Sequence, residues 1–235
     1  MQQFMIIADH LVIINRSASY KNITLRIVLS NPSIRISVPM HASKAAIEHF
    51  FISNLEQIEA MQAEVFAAAE ASAKQYVTDE MHHLFGEMYP LKVEESSQPS
   101  GGHFDNGTIY LSVKKGASRD DRGIVMDKFL RETLKEKTLE VAARLEPKMG
   151  VHANKFTMRL MKTRWGSCNI NKKTISINLL LVQMPLICLE SVVAHELVHL
   201  LETNHNKRFY SLMDQYYPAW QEANELLKEF SHKVD

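Results

Sequence analysis

Residues 195–199 read His-Glu-Leu-Val-His. Histidines four apart lie on one face of an α-helix, one turn above the other, so two imidazoles can share one metal ion. The glutamate beside the first histidine can then reach a water on that ion and take its proton. Val192, Val193, Leu197, Val198, Leu200 and Leu201 surround the motif. They bury the helix and give the site a dry, rigid wall. Two histidines on a buried helix can also be ordinary hydrogen-bonded core residues. His, Glu and His together are expensive to bury without a partner, and a metal supplies one.

A catalytic zinc takes three protein ligands and keeps one position open. His205 is the leading third ligand. On a continuing helix it would stand ~240° round the axis from His199, so the helix must stop first. Glu202-Thr203-Asn204 precedes it, and Asn204 tolerates the left-handed geometry of a helix C-cap. Glu202 is the runner-up, at i+7 from His195. It is ~10 Å along the axis from that residue, too far for one ion to serve all three comfortably. The expectation is one divalent ion, zinc, on His195, His199 and His205, with Glu196 as general base and Glu202 as a solvated or supporting carboxylate.

Other residues carry open readings. Arg164 starts the run Arg164-Trp165-Gly166-Ser167-Cys168. It is either a salt-bridged structural arginine or a cleft residue, whose fork suits a carboxylate or a phosphate. Trp165 reads as a core anchor, Gly166 as a backbone turn and Cys168 as a small buried residue. Lys162, Lys207 and Arg208 are candidate phosphate contacts. One of Tyr210, Tyr216 and Tyr217 could donate to a developing oxyanion.

These residues need a frame. Met5–Ile7 and Leu11–Ile14 flank Asp9-His10 as a hairpin would. Ile23–Leu29 and Ile34–Val38 alternate apolar and polar residues around the turn composition of Ser30–Ser33. An antiparallel sheet with one apolar face is expected. A long helix follows, capped by Ser43, with Ile47, Phe50, Phe51, Leu55, Ile58, Met61 and Val65 at helical spacing and a weak signal to about Tyr76. Residues 94–107 read as a loop or boundary. The organisation expected is therefore a sheet-plus-helix region, 1–93, and a catalytic region, 94–235, with one continuous domain as the alternative. In the second region a strand at Thr108–Val113 precedes a helix capped by Asp120 or Asp121 and ended by Pro147 and Gly150. Strands at Lys155–Lys162 and Thr174–Val182 precede the motif helix, which Pro185 opens.

The bulk numbers agree with a globular chain. It has 235 residues, 46% hydrophobic and 23% charged, with Lys+Arg and Asp+Glu both at 27. That balance argues against a broad electrostatic grip on nucleic acid. Two cysteines cannot make a disulfide framework. No apolar run approaches the ~20 residues of a membrane span, and the N-terminus lacks signal-peptide features. The expectation is a cytoplasmic protein with no membrane partner.

Thr163–Cys168, Ile175-Ser176-Ile177-Asn178, Pro185 and the block from His195 to Tyr210 resemble the YgjP-like group of metal-dependent hydrolases. That group is similar to small relatives of the gluzincin metallopeptidases and, more distantly, to the WLM and SprT zinc proteases. Asn22–Ile27, Val38-Pro39 and Ala42-Ser43 extend the resemblance weakly to the N-terminal half. It implies an α+β fold whose catalytic part is zincin-like, and a zinc on His195, His199 and His205 with Glu196 as base. It also implies a cleft whose rim is the strand at Ile175–Asn178. Ile175, Ile177, Asn178, Arg164, Lys207, Arg208 and Tyr210 are then the candidates for substrate contact. A metzincin would need glycine at 202, where this chain has glutamate. Three functions are weighed: a metallopeptidase that binds peptides by strand addition at 174–178, a metal-dependent nucleoside triphosphate pyrophosphohydrolase, and a zinc-stabilised binding module without turnover. Glu196 speaks against the last, since a structural site has no use for it.

Overall fold

The computed structural model describes residues 2–8, 10–27 and 34–231. Asp9, Val28, Leu29 and the turn expected at Ser30–Ser33 lie outside the described residues. The chain forms two compact units, Met1–Lys74 and Gln75–Asp235.

The first unit holds β1 (Gln2–Ile7), β2 (His10–Ser17), β3 (Thr24–Ile27), β4 (Ile34–Pro39), α1 (Lys44–Ser53) and α2 (Leu55–Ser72). The sheet is mixed rather than antiparallel, with order β1-β2-β4-β3 and a parallel β2–β4 pair. Burial explains the order. Ile34, Ile36 and Val38 of β4 are all buried, whereas only Ile27 of β3 is, so β4 takes the inner place and β3 the edge. Ser43 caps α1 as expected, accepting the Ala46 N–H at 3.1 Å. The single long helix expected here is two, broken at Asn54, whose side chain donates to the Phe50 carbonyl at 2.7 Å. Ile47, Phe51 and Ile58 close the core over Val12, Ile14, Ile36 and Val38.

The second unit carries the motif. β5 (Met81–Leu84), β6 (Glu87–Glu95), β7 (Gly101–Asp105) and β8 (Thr108–Val113) form a sheet of order β5-β6-β8-β7. A boundary at 93/94 would cut β6, which pairs with β8. The stretch read as a loop contains β7, which turns into β8 through Asn106-Gly107 with φ of 43° and 77°. Successive left-handed residues of this kind make the type I′ hairpin turn. α3 (Arg119–Met149) packs on the sheet. Its cap is Ser118, not Asp120 or Asp121. Ser118 Oγ accepts the Asp121 N–H at 3.2 Å, and Asp121 Oδ2 accepts the Ser118 N–H at 2.9 Å, a capping box. Pro147 sits inside the last turn and Gly150 ends the helix at φ 67°.

β9 (Lys155–Arg159), β10 (Gly166–Asn169) and β11 (Thr174–Asn178) form a separate sheet of order β10-β11-β9. The chain leaves β11 as a 3-10 turn, Leu179–Gln183, instead of extending the strand to Val182. Pro185 caps α4 (Leu186–Val198) from outside its first turn. α4 is buried nearly all round, the mark of a core helix. α5 (Lys207–Tyr216) and α6 (Trp220–Ser231) complete the unit.

Candidate functional site

His195 and Glu196 stand on the last turn of α4, and His199 is its C-cap residue, still in right-handed helical geometry. The helix then closes through short bonds, Leu200 N–H to Leu197 O at 3.0 Å and Leu201 N–H to Val198 O at 2.8 Å. No left-handed residue at Asn204 is needed, and Asn204 has no positive φ. The Glu202 side chain makes the turn instead. Its carboxylate accepts the Asn204 N–H at 3.1 Å, and Asn206 then caps α5 by accepting the Phe209 N–H at 3.0 Å. This reversal carries His205 back over α4.

The three imidazoles converge. His205 Nε2 lies 3.0 Å from His195 Nε2, and the ligand atoms of His195, His199 and His205 all lie within 4.8 Å of one another. Ligands on a tetrahedral zinc at 2.0–2.1 Å would be ~3.3 Å apart, so this set can hold such an ion. His199 Nδ1 donates to the Glu202 carbonyl at 3.2 Å, which fixes the tautomer and leaves Nε2 to coordinate. Burial and the neighbouring His199 and His205 hold His195 down at about 4, so its ring is neutral at pH 7, as a ligand must be.

Glu196 is 5% exposed, and no described residue donates a hydrogen bond to its carboxylate. Burial pushes it up to about 8, against the opposing pull of Arg164. Burial alone therefore favours its neutral acid at pH 7, and a divalent cation on the adjacent imidazoles would favour the carboxylate that a general base must be. The Arg164 charge is close enough to be felt there, and Arg164 lines the same cleft of about 680 Å³.

Phe209, fully buried, floors the site, with its ring centroid 4.8 Å from His195 and from His199 and 4.6 Å from His205. The cleft is also lined by Ser191, Val192, Ile170, Met213, Trp220 and Leu227. Val192 is one of the wall residues expected around the motif; the other five were not expected at the site, although two periodic signals were present. Ser191 is one turn before His195 on the histidine face, and Trp220, Asn224 and Leu227 stand at i, i+4 and i+7. Tyr210 lines the cleft, 5.4 Å from the Trp220 ring. Tyr217 does not. Its hydroxyl donates to Glu190 Oε2 at 2.9 Å.

The substrate contacts expected on β11 are not brought to the cleft. Ile175 and Ile177 are fully buried because β11 is the central strand, paired on both sides. It has no free edge for an added strand. The edge strands are β10 and β9, and Gly166, Ser167 and Cys168 of β10 line the cleft. Asn178 is also buried. Its Nδ2 donates to the Met161 and Arg164 carbonyls, each at 2.8 Å, so it ties down the loop that presents Arg164. Lys162, Lys207 and Arg208 are exposed outside the cleft lining.

An α+β unit with three convergent imidazoles beside a buried carboxylate has the make-up of a metal-dependent hydrolase site. The family model described as YgjP-like, metallopeptidase domain, matches residues 21–230, and the chain belongs to that family. Similar solved structures are the metallopeptidase zymogens of Pyrococcus abyssi abylysin and Methanocaldococcus jannaschii jannalysin. The first is 16% identical over 41% of this chain and 94% of that one, with a TM-score of 0.36. The second is 21% identical over 43% and 97%, with a TM-score of 0.35. Likeness at that level carries no weight for fold or function. No curated protein matches the chain. Among the described residues no helix is long and apolar enough to cross a membrane.

Proposed function

We propose that the protein is a zinc-dependent, zincin-like peptidase acting on extended peptides, with His195, His199 and His205 holding the ion and Glu196 as general base. One observation carries the choice of substrate. Apart from the histidines, Arg164 is the only basic residue among the described residues that line the cleft, whose lining also includes Ile170, Val192, Met213, Trp220 and Leu227. A triphosphate brings several negative charges and would need a cationic cluster. Lys162, Lys207 and Arg208, the residues that could have supplied one, stand outside. An apolar wall with one cation suits a peptide better. The donor-free Glu196 also weighs against a site that merely binds zinc.

A divalent ion bound at the histidines would polarise a carbonyl and acidify water. Glu196 is positioned to take a proton from water at its carboxylate and to pass it to the leaving amine. Arg164 is placed to steady negative charge near Glu196. Gly166 offers the backbone to the substrate. Asn178 N–H donates to the Trp165 carbonyl at 2.9 Å, so the next pair, Gly166 and Ile177, is a non-bonded pair of the antiparallel ladder. The Gly166 N–H and C=O therefore point to the free edge, where an extended peptide can pair.

The test is a turnover screen of the zinc-loaded protein against a peptide library and the nucleoside triphosphates, with Glu196→Gln beside it. Peptide cleavage that falls ~10²-fold or more in Glu196→Gln, with zinc retained, supports the reading. Pyrophosphate release without any peptide cleavage transfers it to the nucleotide hydrolase. Cleavage at the wild-type rate by Glu196→Gln removes Glu196 as the base.

A further inference from the structure

Gly166 opens β10 beneath the free edge, and its backbone lies directly on the side chain of Glu196. A Cβ built there would stand 2.5 Å from Glu196 Oε1, 2.8 Å from Cγ and 2.9 Å from Cδ. Non-bonded carbon pairs settle near 3.5–4.0 Å, so no side chain fits without something moving. Backbone conformation is not the reason for glycine at this position, because Gly166 has no positive φ. Space is the reason, and the three nearest atoms all belong to Glu196. Gly101, the first residue of β7, is the contrast: a Cβ there would meet nothing within 4 Å.

Glu196 needs an external hold. Its carboxylate is buried and receives no hydrogen bond from a described residue, so no donor selects its rotamer. A long side chain without a polar tether is positioned only by what packs against it. On the β10 side that is the Gly166 backbone.

We propose that Gly166 is a positioning residue, whose missing side chain makes the slot that keeps the Glu196 carboxylate at the cleft wall. This rests on the reading of Glu196 as the base. β10 is an edge strand held on one side only. A methyl at 166 can therefore be relieved by swinging Glu196 away or by lifting the strand from α4, and either response takes the carboxylate out of register with the strand edge that receives substrate. The glycine of this segment is then tied to the glutamate of the histidine helix, thirty positions later in the chain, by steric fit alone.

The experiment is a double-mutant cycle on the zinc-loaded full chain: wild type, Gly166→Ala, Glu196→Ala and both together, with Gly101→Ala as the control. A strand Gly→Ala change at negative φ with room around it raises stability by limiting the unfolded chain. Gly101→Ala should follow that rule. Gly166→Ala should lower Tm in the wild-type background and cease to lower it once Glu196 is alanine. Zinc content should stay at one ion per chain throughout. On a peptide from the screen, Gly166→Ala should lower kcat by about 10²-fold, the scale of a 1 Å misplacement, with KM little changed. Equal loss of Tm in both backgrounds, or an unchanged kcat in Gly166→Ala, overturns the proposal. If the Tm coupling is found while no peptide is cleaved by wild type, the slot stands and the catalytic role assigned to it falls with the peptidase reading.

Discussion

On one wall of the cleft, His195 and Glu196 ride a helix buried almost all round, and His205 is returned to them by a seven-residue reversal, Leu200–Asn206. On another wall, Gly166 and Cys168 belong to a four-residue edge strand, and Arg164 to a loop held by the side chain of Asn178. The first wall is local in sequence and is fixed by helix geometry and burial. The second is assembled from segments as far apart as 155 and 178, and is fixed by strand order and a few polar contacts. Substitutions should therefore separate the two: the helix wall should fail through the metal, the strand wall through geometry with the metal in place.

The largest effect is expected at His205. His205→Ala removes one of three converging nitrogens. Metal affinity should fall by more than the ~10–100-fold seen when only a supporting partner of a ligand is lost. Elemental analysis after dialysis reads it directly. Full zinc occupancy in this variant would break the assignment of the helix wall.

Asn178→Ala comes next and tests the other wall. The change strips hydrogen bonds from the Met161 and Arg164 carbonyls in a part-buried loop. Leaving a buried polar group unsatisfied costs about 1–3 kcal/mol. Denaturant unfolding should show a loss of that size with zinc content unchanged. Loss of zinc in step with stability would mean that the two walls are not separable.

The legibility of the site follows the same division. His195, Glu196 and His199 are visible as a helical spacing, and His205 as the third imidazole that a stopped helix can return to them. The strand wall is not visible that way. Ile175 and Ile177 alternate with polar neighbours as an exposed-edge strand or a central one would, so the pattern cannot say that β11 is flanked on both sides and that β10 holds an edge. The same blindness made the first sheet look antiparallel, because strand order is decided by which strand buries more. In β6 the burial is confined to Leu91 and partly exposed neighbours, too little alternation to announce a strand. Asn106-Gly107 has the composition of the β7–β8 hairpin turn, but it lies in a stretch read as loop or boundary, so the hairpin was not expected.

Arg164→Lys should be smaller still. It keeps the charge beside Glu196 and loses the fork. Peptide cleavage should fall less than tenfold, because a peptide draws its affinity from the strand edge and the apolar wall. A nucleotide substrate held by bidentate contact would lose about tenfold or more. Parallel kinetics on both substrate classes, with zinc content measured alongside, sharpen which wall recognises substrate.

The smallest effect belongs to Glu202, which is in the helix wall's reversal but outside its ligand set. Its exposed carboxylate accepts the Asn204 N–H, while the group that orients His199 is the Glu202 backbone carbonyl, which any residue supplies. Glu202→Ala should therefore change zinc affinity by less than ~10-fold, the lower bound for a true supporting partner. The Asn204 N–H holds the carboxyl below its ordinary 4.5. A carboxyl depressed in the folded state adds stability above its unfolded pKa and loses it as pH falls through the folded value. Wild type should consequently exceed Glu202→Ala slightly in Tm at pH 7, and the two curves should meet as the pH is taken well below 4.5. Zinc lost from Glu202→Ala as completely as from His205→Ala would make the carboxylate a ligand, and the metal would then be held by the i, i+4, i+7 stripe of one helix rather than by the reversal that returns His205.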